Sequence, residues 1–230
     1  MAVICIAGTQ AGVGKTAVAE MLLAHLPGWS AARVRVADEM TEADAALLGD
    51  APHRLLSAEA AGADGDARRL HAAGARQAQV LLAQPRGLED GLAAMLSGTA
   101  AGADLLVEGN AFLWARQADV AVMVIGPGPS GSGVGRVRAS ARELLGKIAI
   151  WAWNARAGTD MSGFFEFPLA LARMGFKGAV SNRSEFHHVN PLDAAHAGNA
   201  PFIAAVGQAL ERCRARRESD DFLRRAGFGA

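Results

Sequence analysis

The stretch AGTQAGVGKTAV, residues 7–18, follows the apolar run 3–7 and precedes residues with the apolar spacing of a helix. The backbone N–H groups of such a glycine-rich turn, at the positive end of a helix, bind phosphate. In the usual form of this loop, about four residues separate the first glycine from the Gly-Lys-Thr triplet. Here Thr9 stands where that glycine would be, and Gly8 lies one residue earlier. The stretch predicts either a phosphate-binding loop with an extra residue or an ordinary glycine turn, between the first strand and the first helix of an α/β domain.

Apolar segments alternate with segments of helical spacing along the rest of the chain. Strands are predicted at residues 2–7, 33–37, 78–83, 104–107, 118–125, 147–153 and 178–181. Helices are predicted at 15–26, 66–74, 87–100, 136–145, 164–174 and 200–217, with a charged tail after the last helix and loop with a short helix at 38–66. This alternation predicts a three-layer α/β fold, with a mainly parallel sheet of about seven strands and helices on both faces. We expect one domain over residues 1–230, with the part after about residue 161 as its C-terminal portion.

Composition limits the classes of partner. The chain has 230 residues, 51% of them apolar, and a formal net charge of zero, so neither nucleic acid nor a membrane surface is an expected partner. Two cysteines, Cys5 and Cys213, lie near opposite ends, and the N-terminus has no basic flank before its apolar run. These features predict a reduced, cytoplasmic protein without a secretory signal.

The residue types of the loop point to nucleotide chemistry. A lysine at the position of Lys15 reaches the terminal phosphates, and the Thr16 hydroxyl is suited to bind Mg²⁺. Lys15 is one of only three lysines in the chain, which favours a specific role. The residues predicted to bind the nucleotide at this loop are Gly8, Thr9, Gly12, Val13, Gly14, Lys15, Thr16 and Ala17.

The extra residue has a parallel in a known family. Gly8-Thr9 with Gly12–Thr16 resembles the loop of dethiobiotin synthetase and the cobyrinic acid amide synthases, in the branch of P-loop NTPases that includes the nitrogenase iron protein. The stretch ADLLVEGNAF, residues 103–112, resembles the Val-Glu-Gly strand end of dethiobiotin synthetase and of the molybdopterin-guanine-dinucleotide adaptor protein. That resemblance implies that Glu108 organises Mg²⁺ and takes part in catalysis; a strand-end turn residue is the alternative. Residues 65–83 also resemble the adaptor family and imply that Asp66 lies near the phosphates and the metal.

The chain also departs from those families. The stretch RVRVADEM, residues 33–40, lacks the lysine with which dethiobiotin synthetase holds its substrate, and Asn110-Ala111-Phe112 replaces a glycine-rich run. We expect both departures on the substrate side of the site, away from the loop. The second lysine of the dimeric ATPases in this branch is also missing, because Lys15 is the loop's only lysine.

Several polar residues have two interpretations each. Asn154 follows a buried strand and is predicted either to contact the base or to form a turn, with Asn182 as the competing candidate for the base. Asp38 suits water positioning in catalysis or helix capping. The segment 126–135 suits a lid or a plain connection, and His187, His188 and His196 are expected to be solvated loop residues rather than metal ligands.

These observations predict a Mg²⁺-dependent protein that binds ATP or GTP and hydrolyses it slowly, as an accessory protein in the assembly of a cofactor such as molybdenum cofactor. A protein partner is expected, and a homodimer remains open. The alternatives are an ATP-dependent ligase resembling dethiobiotin synthetase and a non-catalytic nucleotide-binding module.

Overall fold

The computed structural model describes residues 1–36, 39–60, 65–100, 102–127, 135–155, 161–173, 175 and 186–226. Its strands are β1 Val3–Gly8, β2 Ser30–Val36, β3 His53–Ser57, β4 Ala78–Ala83, β5 Leu105–Glu108, β6 Val120–Ile125, β7 Ile150–Asn154 and β8 Phe186–Val189. Its helices are α1 Lys15–Leu23, α2 Glu42–Leu48, α3 Gly65–Ala72, α4 Leu88–Ser97, α5 Asn110–Ala115, α6 Ala139–Arg142, α7 Ser162–Arg173 and α8 Asn199–Arg225. Asp38, Asn182, most of the segment 126–135 and the predicted strand 178–181 lie outside the described residues.

The strands form one sheet in the order β3-β4-β2-β5-β1-β6-β7-β8. Every pair of neighbours is parallel except β3 with β4. The prediction of an α/β fold with a mainly parallel sheet is therefore confirmed. The strand count differs, because the described residues alone contain eight strands. Strand β3 falls in a stretch predicted as loop, since a short edge strand that is buried only in part has no continuous apolar run.

Helices cover both faces of the sheet. Side chains of α1, α2, α3 and α8 pack with Ile4 and Ile6 in one apolar cluster. Side chains of α4, α5, α6 and α7 pack with Val3 and Cys5 in the other. Because successive residues of a strand face opposite sides, each buried strand contributes to both clusters. Within the described part of the chain, no helix has both the length and the apolar character needed to cross a membrane.

Helices α5, α6 and α8 differ most from the prediction. The predicted helix 136–145 is reduced to Ala139–Arg142, and α5 was not predicted at all. Helix α8 continues to Arg225, so the charged tail is helical rather than irregular. Ion pairs lie along its polar half: Arg214 lies 2.5 Å from Asp104 on the body of the protein, and Arg224 lies 2.7 Å from Asp221 one turn away.

Helix α2 begins at a reciprocal cap. The Thr41 hydroxyl accepts the Asp44 N–H at 3.2 Å, and the Asp44 carboxylate accepts the Thr41 N–H at 2.8 Å. Asp44 also forms an ion pair with Arg35 of β2. Burial acts to raise the pKa of Asp44, but the hydrogen bonds from Thr41 and Arg35 outweigh it and lower this pKa below its ordinary value.

Replacing Asp44 by asparagine is expected to destabilise the protein by roughly 1–2 kcal/mol near neutral pH, because Arg35 loses a charged acceptor. A carboxylate whose pKa is lowered by folding stabilises the folded state above its unfolded pKa, about 3.9. The difference between wild type and Asp44→Asn should therefore disappear as the pH falls through the lower pKa of the folded state. Denaturant titrations at a series of pH values measure the free energy of unfolding of both proteins. The control is Asp50→Asn, which changes an exposed aspartate beyond α2.

Candidate functional site

The glycine loop, residues 8–16, connects the carboxyl end of β1 to the start of α1. Its first residue is held from the neighbouring strand end: Asn110 Oδ1 accepts the Gly8 N–H at 2.8 Å, and Asn110 Nδ2 donates to the Gly8 carbonyl at 3.0 Å. Thr9 is fully buried, and its N–H donates to the Val124 carbonyl at 3.1 Å. The expectation that Asn110 lies away from the loop is therefore wrong, because the amide is long enough to bind both backbone groups of Gly8.

Two of the loop's glycines have backbone angles that other residues rarely adopt. The φ angles are +68° at Gly12 and +98° at Gly14. A Cβ at Gly14 would also lie 2.1 Å from Asn154 Nδ2. At Gly8 the limit is space, because a Cβ there would lie 2.9 Å from the Lys15 stem. The lysine therefore folds back over the start of the loop, and the glycine pattern follows from the shape of the loop.

Asn154, the last residue of β7, forms a hydrogen bond with the loop. Its Nδ2 donates to the Val13 carbonyl at 2.9 Å, and the residue is 6% exposed. Val13 itself is buried in the apolar cluster on the α1 face. The structure thus gives Asn154 a contact with the loop, while its predicted contact with a base stays a prediction.

The first turn of α1 favours an anion. Its N-cap is Gly14, which has no side chain to cap the helix, and the turn contains no acidic residue. The first N–H groups of a helix have no partner within the helix and give it a positive end. Helix α2, by contrast, begins with a side-chain cap and two acidic residues. An anion bound to these N–H groups would take the place of the missing cap.

Glu108 and Thr16 meet at the edge of the loop. Glu108 ends β5 and is 2% exposed, and the Thr16 hydroxyl donates to its carboxylate at 3.0 and 3.1 Å. Burial raises the pKa of Glu108, while the charges of Arg33 and Lys15 act in the opposite direction. The structure therefore brings together Thr16 and Glu108, two of the three residues predicted to hold the metal.

Arg33 is a site residue that sequence reasoning missed. It pairs in register with Glu108 across β2 and β5, and its Nη1 lies 3.9 Å from Glu108 Oε2. It also forms an ion pair with Asp66 at the start of α3. Burial acts to raise the pKa of Asp66, but the hydrogen bond and charge of Arg33 lower it. The sequence feature that indicates such a role is the alternation Arg33-Val34-Arg35-Val36, which places two arginines on one face of a largely buried strand.

Two clefts meet at these residues. The α1 cleft has an empty volume of about 570 Å³ and includes Gly14, Thr16, Ala17, Asp66 and Arg69. The β2 cleft has an empty volume of about 760 Å³ and includes Gln10, Arg35, Glu39, Asn110, Arg138 and Ser140. Both are lined by Gly12, Lys15, Arg33 and Glu108. Both clefts lie at the carboxyl ends of parallel strands, where ligands of such sheets bind.

The donor set suits a hard cation that shares its ligands with a phosphate. Mg²⁺ in nucleotide sites takes one or two protein oxygens, with water and phosphate oxygens completing the shell. The Thr16 hydroxyl and the buried Glu108 carboxylate, 3.0 Å apart, provide such oxygens. Among the described residues, no group of three or more His, Cys, Asp or Glu side chains is arranged to hold a metal by protein ligands alone. Asp66 is turned to Arg33 in this structure, so its predicted metal contact stays a prediction.

The histidines occupy other places than expected. His187 and His188 belong to β8, so the prediction that they lie in a loop is wrong. The strand has only four residues, two of them histidines, so the sequence has no apolar run that would have predicted it. The His188 and His196 rings lie 4.8 Å apart. Burial, and then the charge of His196, lower the pKa of His188.

No protein-family model matches the chain, and no curated protein matches its sequence. The geometry of the loop, of Glu108 and of Arg33 is therefore the basis for inferring a function.

Proposed function

We propose that this chain binds a nucleoside triphosphate as its Mg²⁺ complex at the glycine loop and hydrolyses it slowly. The observation that carries this proposal is the first turn of α1, which has no side-chain cap, no acidic residue and a lysine at its first position. Helices α4, α5, α6 and α8 also begin without a side-chain cap, so the missing cap does not distinguish α1 by itself; the lysine at its first position and the positive φ angles of Gly12 and Gly14 do. A helix start that lacks a cap, next to a cleft with cationic residues, fits a phosphate group.

Each residue has a distinct part in this function. The N–H groups of the loop and of the first turn bind the phosphate oxygens, and Lys15 adds a positive charge at their terminal end. Thr16 and Glu108 would hold Mg²⁺, which neutralises charge on the phosphates. Asn110 and Asn154 contact Gly8 and Val13 and keep the loop in shape.

The resemblance to the adaptor and synthetase families supports a role in cofactor assembly, such as that of molybdenum cofactor. In such a role the triphosphate drives a handover to a protein partner, so turnover without the partner is slow. ATP and GTP are both open, because Asn154 contacts the loop and Asn182, the other candidate for the base, lies outside the described residues.

Wild type should melt at a higher temperature when it binds a Mg²⁺-nucleoside triphosphate. A ligand at about 100 times its Kd stabilises by about 2.7 kcal/mol, which corresponds to an increase in Tm on the order of 5–10 °C for a chain of this size. Replacing Lys15 by alanine keeps the backbone N–H groups and removes one charge-assisted contact. Affinity should fall roughly tenfold to hundredfold, so the same concentration should give little shift.

Lys147→Ala is the matched control, since Lys147 lines neither cleft and instead donates to the Leu113 carbonyl. This variant is expected to have a changed Tm but the full wild-type shift with nucleotide. Thermal melts with Mg-ATP and Mg-GTP, each with and without Mg²⁺, measure all of these effects. If neither nucleotide at millimolar concentration moves the Tm of wild type, nucleotide binding is refuted.

A second candidate function is that of an ATP-dependent ligase, and the β2 cleft favours it. This cleft continues from Lys15 past Gln10 and Arg35 to Arg138, which gives room for a second substrate beside the terminal phosphate. Turnover that a small carboxylic acid stimulates many-fold would favour the ligase. Turnover that is slow alone and stimulated by a protein partner would favour the accessory role.

A further inference from the structure

The terminal phosphate of the proposed nucleotide has one loop cation within reach. Lys15 is the loop's only lysine, and it lines both clefts. Hydrolysis of a triphosphate builds negative charge that a single ammonium does not balance, and a second cation raises the rate of such reactions by on the order of 10³ or more. A second cation near Lys15 would therefore have a clear chemical role.

Arg33 is placed for that role. It is the one other cationic side chain among the described residues that lines both clefts. Its side chain is 16% exposed, and its guanidinium lies 3.9 Å from the carboxylate that accepts the Thr16 hydroxyl. Burial to this degree strengthens the electrostatic effect of its charge on a bound phosphate.

A row of ion pairs holds the Arg33 guanidinium in place. Asp66 pairs with Arg33 and also accepts from Arg69 at 3.3 Å. Arg69 in turn donates to both Glu20 carboxylate oxygens, at 2.6 and 2.7 Å, on the outer side of α1. Acid and base alternate along this row from Glu108 to Glu20, so α1 and α3 together position the cation on β2. A guanidinium has five N–H donors, which allows it to contact a carboxylate and a phosphate together.

We propose that Arg33 is a catalytic residue that contacts the terminal phosphate of the bound nucleoside triphosphate and stabilises the charge that develops on it during hydrolysis. The proposal rests on the proposed nucleotide function. It assigns to an arginine of β2 the positive charge that a second loop lysine would otherwise supply.

The test compares triphosphate with diphosphate binding. If Arg33 contacts the terminal phosphate, Arg33→Gln should weaken binding of the Mg²⁺-triphosphate by about tenfold and leave diphosphate binding nearly unchanged. Turnover should fall by on the order of 10³ or more. Arg33→Lys keeps the charge beside Asp66 and protects folding; it should keep the preference for triphosphate and lose about tenfold in turnover, because an ammonium lacks the planar pair of donors.

The control is Arg216→Gln, which removes an exposed arginine of α8 outside both clefts and should behave as wild type. Isothermal titration with ADP, GDP and slowly hydrolysed triphosphate analogues gives the affinities, and phosphate release gives turnover. Equal loss of diphosphate and triphosphate affinity in Arg33→Gln would show a structural role and overturn the assignment. Wild-type binding together with normal turnover in Arg33→Gln overturns the role of Arg33 alone, whereas no binding by wild type overturns the nucleotide function as well.

Discussion

Replacing Glu108 by glutamine is expected to lower nucleotide hydrolysis by about 100-fold or more, while nucleotide affinity falls much less. The loss of one positioned polar group in a phosphoryl-transfer site has an effect of this size. Glutamine has the size of glutamate and still accepts the Thr16 hydroxyl, but it lacks the negative charge that a Mg²⁺ ligand provides. Phosphate release under saturating Mg²⁺-triphosphate measures turnover, and the thermal shift measures binding.

The matched control for this change is Glu211→Gln, an exposed residue of α8 that undergoes the same substitution outside the site. Its turnover should equal that of wild type. Melting of Glu108→Gln without nucleotide checks the fold, since a buried carboxylate is being removed next to Arg33. Unchanged turnover in Glu108→Gln, with nucleotide still bound, would mean that Glu108 is only a strand-end residue that orients Thr16.

The sequence predicts best those parts of the site whose residues are contiguous in the chain. The loop at residues 8–16 joins a buried strand to a helix, and glycine with lysine and threonine specifies its conformation locally. Glu108 was also predictable, because it ends an apolar strand, and the ends of parallel strands meet at one edge of the sheet. Its contact with Thr16 at 3.0 Å follows from β1 and β5 being neighbours.

The remaining contacts depend on strand order, which local patterns do not contain. Arg33 meets Glu108 only because β2 lies next to β5, although α2, β3, α3, β4 and α4 separate them in the chain. Asn110 likewise contacts Gly8 through the pairing of β1 with β5. Strand β3 forms because β4 offers it a partner edge, and its own sequence is too mixed to predict it.

Replacing Gly109 by alanine is expected to destabilise the protein by roughly 2–4 kcal/mol. The φ angle of Gly109 is +142°, and a Cβ there would lie 2.5 Å from the Val34 carbonyl oxygen. Because that neighbour is backbone of β2, it cannot move aside as a flexible side chain would. The expected decrease in Tm is on the order of 5–15 °C by thermal or denaturant unfolding.

Gly102→Ala gives the cost of a positive φ angle without a close neighbour. Gly102 precedes the same strand, β5, and has a φ angle of +77°, but a Cβ there would meet nothing within 4 Å. It should lose only the roughly 1 kcal/mol that a left-handed angle costs a residue with a Cβ. Equal losses in the two variants would show that the angle alone is responsible and that β2 yields to the added methyl group. If the contact with Val34 dominates, the methyl group in Gly109→Ala displaces the backbone between Glu108 and Asn110. The increase in Tm on nucleotide binding should then be smaller in Gly109→Ala than in wild type. Gly102→Ala should keep the wild-type increase.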